Sequence, residues 1–162
     1  MTETEERSRR VCFTGHRPEK LTRPEKAIRK DLEIQIRQAV ADGLNIFITG
    51  MARGIDIWAA QIVLNLRNEG HAVNLVCACP YVGFETGWSQ DWQRQYKDIL
   101  LSADFVKYVS EGRSYSCFQI RNEWMVNRVA KVIAVFNGQK GGTKNTIDYA
   151  VKTGVPVVCI EG

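Results

Sequence analysis

Six short runs rich in valine, isoleucine and phenylalanine recur along this chain: "RRVCFTG", "LNIFITG", "HAVNLVCACP", "ADFVKYVS", "AKVIAVFNG" and "VPVVCI". The first five stop at glycine, proline or serine, and the sixth closes the chain. Runs this continuous leave no wet face, so they predict strands buried on both sides, as in a parallel sheet. Between them lie segments with helical spacing. Residues 24–42 put Ile28, Leu32, Ile36 and Ala39 on one face, with Thr22 and Glu25 as a capping box and Gly43 as the stop. Residues 54–69, 88–101, 118–130 and 143–153 read as further helices, with Gly70 and Gly154 ending two of them. Strand–helix alternation along the whole chain predicts an α/β fold: a single Rossmann-like, doubly wound, mainly parallel sheet with helices on both faces.

A chain of 162 residues fits one such domain. Residues 9–162 form it in this reading, and the polar residues 1–8 read as a disordered N-terminal tail. No apolar run approaches the roughly 20 residues that span a bilayer. The charged start is no secretory signal, so a cytoplasmic setting is expected. The five cysteines are then reduced thiols, with Cys12 and Cys159 as small core residues. Cys77-x-Cys79 has no second pair to complete a zinc site, so no metal is expected and no cofactor is required. The net charge of +4 favours an anionic small ligand without demanding nucleic acid. An apolar helix face near Trp88 and Trp92 offers a surface on which subunits can pair into a homo-oligomer.

In doubly wound sheets ligands settle beyond the carboxyl ends of the strands, where the strand order reverses. The post-strand loops are therefore the place to look. In "NGQKGGTKNT", Gly141 and Gly142 precede a helix whose first N–H groups are free for an anion, with Thr143 and Thr146 adding hydroxyls. The same residues can also be no more than a tight turn and a helix cap, and the loop alone does not choose. It is not a Walker A loop, which argues against ATP hydrolysis. In "TGMARGID", Gly50 ends a strand, Gly54 opens a helix, Arg53 can grip a phosphate or carboxylate, and Asp56 sits in the first helical turn. A capping aspartate and a surface arginine are the plainer alternative. In "TGHRPEK", Thr14 and Gly15 end the first strand, and Pro18 holds His16 and Arg17 toward the cleft. In "FQIRNEWMV", Arg121, Asn122 and Glu123 fall in the first turns of a helix, while Trp124, Met125 and Val126 read as core.

Four of these stretches, in this order, resemble the SLOG superfamily, and within it the YpsA-like branch: "TGHRP", "GMARGID" followed by "WAA", "RN-WMV" and "GGTKNT". The resemblance covers about residues 10–160. It implies a bacterial or phage protein that recognises a nucleotide or nucleotide-derived ligand, of the ADP-ribose type, in the cleft above a Rossmann-like sheet. LOG-type phosphoribohydrolases carry P-G-G-x-G-T-x-x-E, and Thr146 stands where that family has its catalytic glutamate. Arg121 and Met125 are similar to that family's R-x-x-x-M. Gly50 to Asp56 resembles the S-G-x-A-R-G-I-D of the single-strand DNA binder DprA.

The leading expectation is a protein that senses or sequesters a nucleotide-type ligand. Its phosphates would rest on Gly141, Gly142, Thr143, Thr146 and Arg53, with His16, Arg17 and Arg121 lining the rest and Tyr81 or Phe84 stacking on the base. The enzyme alternative is N-glycosidic or phosphoester hydrolysis of a nucleotide, with Glu123 as the carboxylate and Arg121 as its partner. DprA-like binding of single-stranded nucleic acid ranks third, because scattered lysines draw no basic groove with stacking platforms.

Overall fold

Each apolar run becomes a strand in the computed structural model, which describes residues 2–162. The order is α1 (Glu3–Arg7), β1 (Arg10–Gly15), a 3-10 turn (Pro18–Lys20), α2 (Glu25–Ala41), β2 (Ile46–Thr49), α3 (Ile55–Asn68), β3 (Asn74–Cys79), α4 (Gln90–Ser102), β4 (Phe105–Tyr108), α5 (Cys117–Val126), β5 (Lys131–Phe136), α6 (Gly142–Thr153) and β6 (Val157–Glu161). The strands form one sheet in the order β4-β3-β2-β1-β5-β6, parallel at every pairing. Cys12 of β1 lies opposite Ile48 of β2 on one side and Val132 of β5 on the other. The chain steps outward from β1 to β4, then returns to lay β5 against the free side of β1. That reversal opens a crevice at the carboxyl ends of β1 and β5.

Alternation along the strands feeds two apolar layers. Val11 and Phe13 of β1, Phe47 of β2 and Ile133 of β5 face one way, where they meet Ile28 and Leu32 of α2 and Ile57 of α3. Cys12, Ile48 and Val132 face the other way, onto Met125 and Val126 of α5 and Ala150 of α6. Burying each large apolar side chain contributes about 1.5–3 kcal/mol, so both faces hold the sheet and the inner strands have little wet surface. This is why the runs read as unbroken.

Some expectations are corrected. Residues 3–7 are helical rather than disordered. Thr2 and Glu5 form a reciprocal capping box, and Arg10 bridges to Glu3 (2.9 Å) and Glu6 (3.1 Å). The Thr22 hydroxyl caps nothing. It donates to the carbonyl of Gly162 (2.6 Å), and Pro24 occupies the α2 N-cap. Cys159 is exposed, because β6 is an edge strand. β4, at the opposite edge, also leaves Phe105 and Tyr108 exposed. Trp88 and Trp92 are half-buried, packed against the larger core layer.

Candidate functional site

The loop after β1 is built by close approach. A Cβ on Gly15 would fall 2.3 Å from Ile55, so only glycine lets the end of β1 pass the start of α3. The next residue, His16, is buried and ties the two halves of the sheet together. Its backbone N–H donates to the Val135 carbonyl (3.4 Å), its Nε2 accepts from the Asn137 N–H (3.2 Å), and its ring stacks on Phe136 (5.5 Å). Accepting at Nε2 leaves the ring proton on Nδ1. Burial first, and the charge of Lys20 second, push the His16 pKa below its ordinary value, so the ring is neutral.

The loop after β2 buries a carboxylate. Asp56 is only 6% exposed, and its Oδ2 accepts from the Ala52 N–H (3.1 Å). Its backbone carbonyl accepts from the Thr49 hydroxyl (2.8 Å). Oδ1 has no partner among the described residues. Burial raises the Asp56 pKa, opposed chiefly by the charge of Arg121. Arg121, 4% exposed, is stretched along the backbone of Gly50: its Nη1 donates to the Gly50 carbonyl and its Nε to Asn122 Oδ1 (2.8 Å). A Cβ on Gly50 would sit 2.9 Å from Asp56 Oδ2 and 3.0 Å from Arg121 Cζ, so glycine is what admits both charged groups. Arg121 Nη2 and Asn122 Nδ2 have no partner among the described residues.

The loop after β5 supplies an open helix end. Gly141 takes a φ of +143°, α6 starts at Gly142, and no side chain caps it. The first N–H groups of α6 are therefore unpaired, with the positive end of the helix dipole behind them. Lys20 Nζ lies 3.3 Å from where a Cβ on Gly141 would be.

These pieces enclose a hollow of about 190 Å³ at the crevice between β1 and β5. Of the residues picked out in the sequence, Thr14, Gly15, His16, Arg17, Asp56, Arg121, Asn122, Gly142 and Thr143 line it. Phe13, Glu19, Lys20, Ala52 and Phe118 join them. The signal for Lys20 lay in the basic stretch after His16. Phe118 was hidden as an ordinary apolar helix residue.

Other picks lie elsewhere. Arg53 does not itself line the hollow; it pairs with Glu19 (2.9 Å), which does. Gly54, at φ +91°, fits under Pro18. Tyr81 and Phe84 belong to an aromatic cluster, with Phe84 against Trp88 (4.9 Å) and Phe118 (5.8 Å), and neither lines the hollow. Glu123 accepts from Gln119 (2.9 Å) away from the hollow, and the carboxylate near Arg121 is Asp56 instead. Thr146 is fully buried, its hydroxyl donating back to the Gly142 carbonyl (2.8 Å). Among the described residues no group of three or more His, Cys, Asp or Glu is arranged to hold a metal ion. No described helix is long and apolar enough to cross a membrane.

The sequence model of YpsA, described as the YspA SLOG family, matches residues 11–154. The chain belongs to the YspA SLOG family. The matched span of this SLOG chain takes in every loop of the hollow. A UPF0398 protein of Bacillus thuringiensis (strain Al Hakam) is 28% identical to it over 150 residues, covering 88% of this chain and 82% of that protein. Among solved structures, DNA processing protein A (DprA) from Streptococcus pneumoniae superposes with a TM-score of 0.68 at 19% identity, over 96% of this chain and 51% of that one. DprA from Helicobacter pylori, described for its single-stranded DNA binding mode, gives 0.68 at 16% identity, over 99% of this chain and 68% of that one. The SLOG chain thus shares the DprA fold while spanning about half the length of the S. pneumoniae chain.

Proposed function

We propose that this SLOG protein binds a nucleotide or nucleotide-derived ligand, with its phosphate in the hollow between β1 and β5. The observation that carries the reading is Arg121: nine-tenths buried, yet with Nη2 uncommitted, beside an uncapped helix end. Nη1 and Nε of this guanidinium are already bonded, and a phosphate would take the remaining Nη2 together with the α6 N–H groups and the Asn122 amide. Arg17 and Lys20 add positive charge at the rim. Asp56 Oδ1, the orphan acceptor, calls for a donor on the same guest. A guest carrying both an anion and hydroxyl donors is a phosphorylated sugar, the common part of nucleotides and ADP-ribose.

Isothermal titration with pyrophosphate, ADP and ADP-ribose tests this. Wild-type protein is expected to bind at least one of them. The paired substitution Arg17→Ala and Lys20→Ala, at exposed positions, is expected to weaken binding by about tenfold or more, since hydrogen bonds to charged groups are worth about 1.5–3 kcal/mol. No binding, or equal affinity in wild type and variant, contradicts the proposal.

Two other readings rest on particular observations. Hydrolysis of the nucleotide gains a better-placed carboxylate in Asp56 than in Glu123. It is read out by chromatography for freed base or ribose phosphate in the same mixtures. Single-stranded DNA gains from the fold likeness to DprA, and an oligodeoxythymidylate titration measures it.

A further inference from the structure

The hollow is small. Ligand pockets generally run from about 300 to 1,000 Å³, and 190 Å³ accommodates a phosphate and part of a sugar. It is not closed, however. A groove of about 710 Å³ between α5 and α6 opens out of it, and Phe118, Asn122 and Gly142 line both spaces. At this shared border Gly142 carries no side chain, and Phe118 and Asn122 supply the side chains common to both.

We infer that this outer groove is the subsite for the nucleobase of the ligand whose phosphate the hollow holds. The inference rests on the nucleotide reading above and adds where the base lies and what contacts it. The walls of the groove suit a flat, uncharged, heteroaromatic ring. Phe118 is held from behind by Phe84 (5.8 Å) and Tyr81 (6.4 Å). Tyr149 is pinned by its hydroxyl, which donates to Asn127 (2.7 Å). Tyr115 stands fully exposed at the mouth, with no ring or hydrogen-bond partner among the described residues. The side-chain amide of Asn145, on the exposed face of α6, is likewise unpartnered among the described residues and offers a donor and an acceptor to a base edge. Two charged residues line the groove, Asp148, which is engaged by Lys144 (2.7 Å), and Lys152; the rest of the lining is mainly aromatic and amide. The aromatic pair that the sequence suggested for stacking, Tyr81 and Phe84, thus acts one layer deeper, as the support of Phe118.

The test compares pyrophosphate, ribose 5-phosphate and the four common nucleoside diphosphates by titration calorimetry. It uses wild-type protein and the variants Tyr115→Ala and Asn145→Ala, both at exposed positions where the fold does not depend on the side chain. Base stacking implies that at least one nucleoside diphosphate binds roughly five- to a hundredfold more tightly than pyrophosphate or ribose 5-phosphate. That advantage shrinks in the two variants while pyrophosphate affinity stays unchanged. If pyrophosphate binds but no base adds affinity, or the advantage survives both substitutions, the inference is overturned and the nucleotide-cleft reading stands. If no probe binds, both are overturned. If an oligodeoxythymidylate binds more tightly than every mononucleotide and depends on Tyr115, the groove is a path for a strand, and the base-subsite inference is overturned in that way.

Discussion

His16 lines the hollow and is at the same time a structural residue. Its Nε2 is taken by the Asn137 N–H, and that bond is lost when the ring is protonated. Because its folded pKa lies below the ordinary value of 6.5, the unfolded chain binds the proton more readily. The stability that neutral His16 contributes is therefore present above about pH 6.5 and is lost as the pH falls toward the lowered folded value. Urea unfolding between about pH 7 and 5 should show wild-type stability falling more steeply than that of His16→Gln, whose amide oxygen can still accept from Asn137. Parallel profiles would contradict this role. The sequence placed His16 and Arg17 in the cleft because glycine before and proline after leave the loop little freedom. It could not show that Arg53 is held by Glu19, a lining residue 34 positions distant that meets it only in the folded chain. Gly50 read as a turn residue. Its actual constraint, room for Asp56 and Arg121, exists only once three elements have met.

At the scale of elements, α6 turns neighbouring residues to different surroundings. Gly142 and Thr143 face the hollow, but Thr146 is 0% exposed and its hydroxyl is held by the Gly142 carbonyl. One helical turn past the anion site, the side chain therefore meets packed protein rather than the guest. Restoring a glutamate there should bury an uncompensated carboxylate. Thr146→Glu is expected to lower unfolding stability by about 3 kcal/mol or more, read as a shifted urea midpoint, without conferring nucleotide cleavage. A stable variant that releases free base would show that the helix can turn this position into the cleft. The existence of α2 to α6 was legible from apolar spacing. The ends were less so: α1 hides in a polar sequence because capping and ion pairs, rather than an apolar face, secure it. The α2 start was legible, but its capping box was not formed because Thr22 found a distant carbonyl, that of Gly162.

For the whole molecule, the sequence announces a buried parallel sheet but not its order. Six unbroken apolar runs look alike, and nothing local says that β5, not β2, takes the second side of β1. Yet that placement makes the site: it sets the Gly15–Arg17 loop beside the start of α6, with Arg121 and Asp56 beneath them. It also leaves β4 and β6 at the edges, where Phe105, Tyr108 and Cys159 are exposed despite their apolar runs. The account's central claim is that this convergence is an anion-accepting cleft. It is tested most directly by titrating isotope-labelled protein with ADP-ribose and with pyrophosphate while following backbone and side-chain N–H resonances. The claim predicts that both ligands produce their largest shifts at the Gly142 and Thr143 amides, the Asn122 side-chain amide and Arg121 Nε. Saturating binding that leaves those four signals unmoved, or shifts concentrated at the opposite end of the sheet around Arg10 and Asn45, would contradict it.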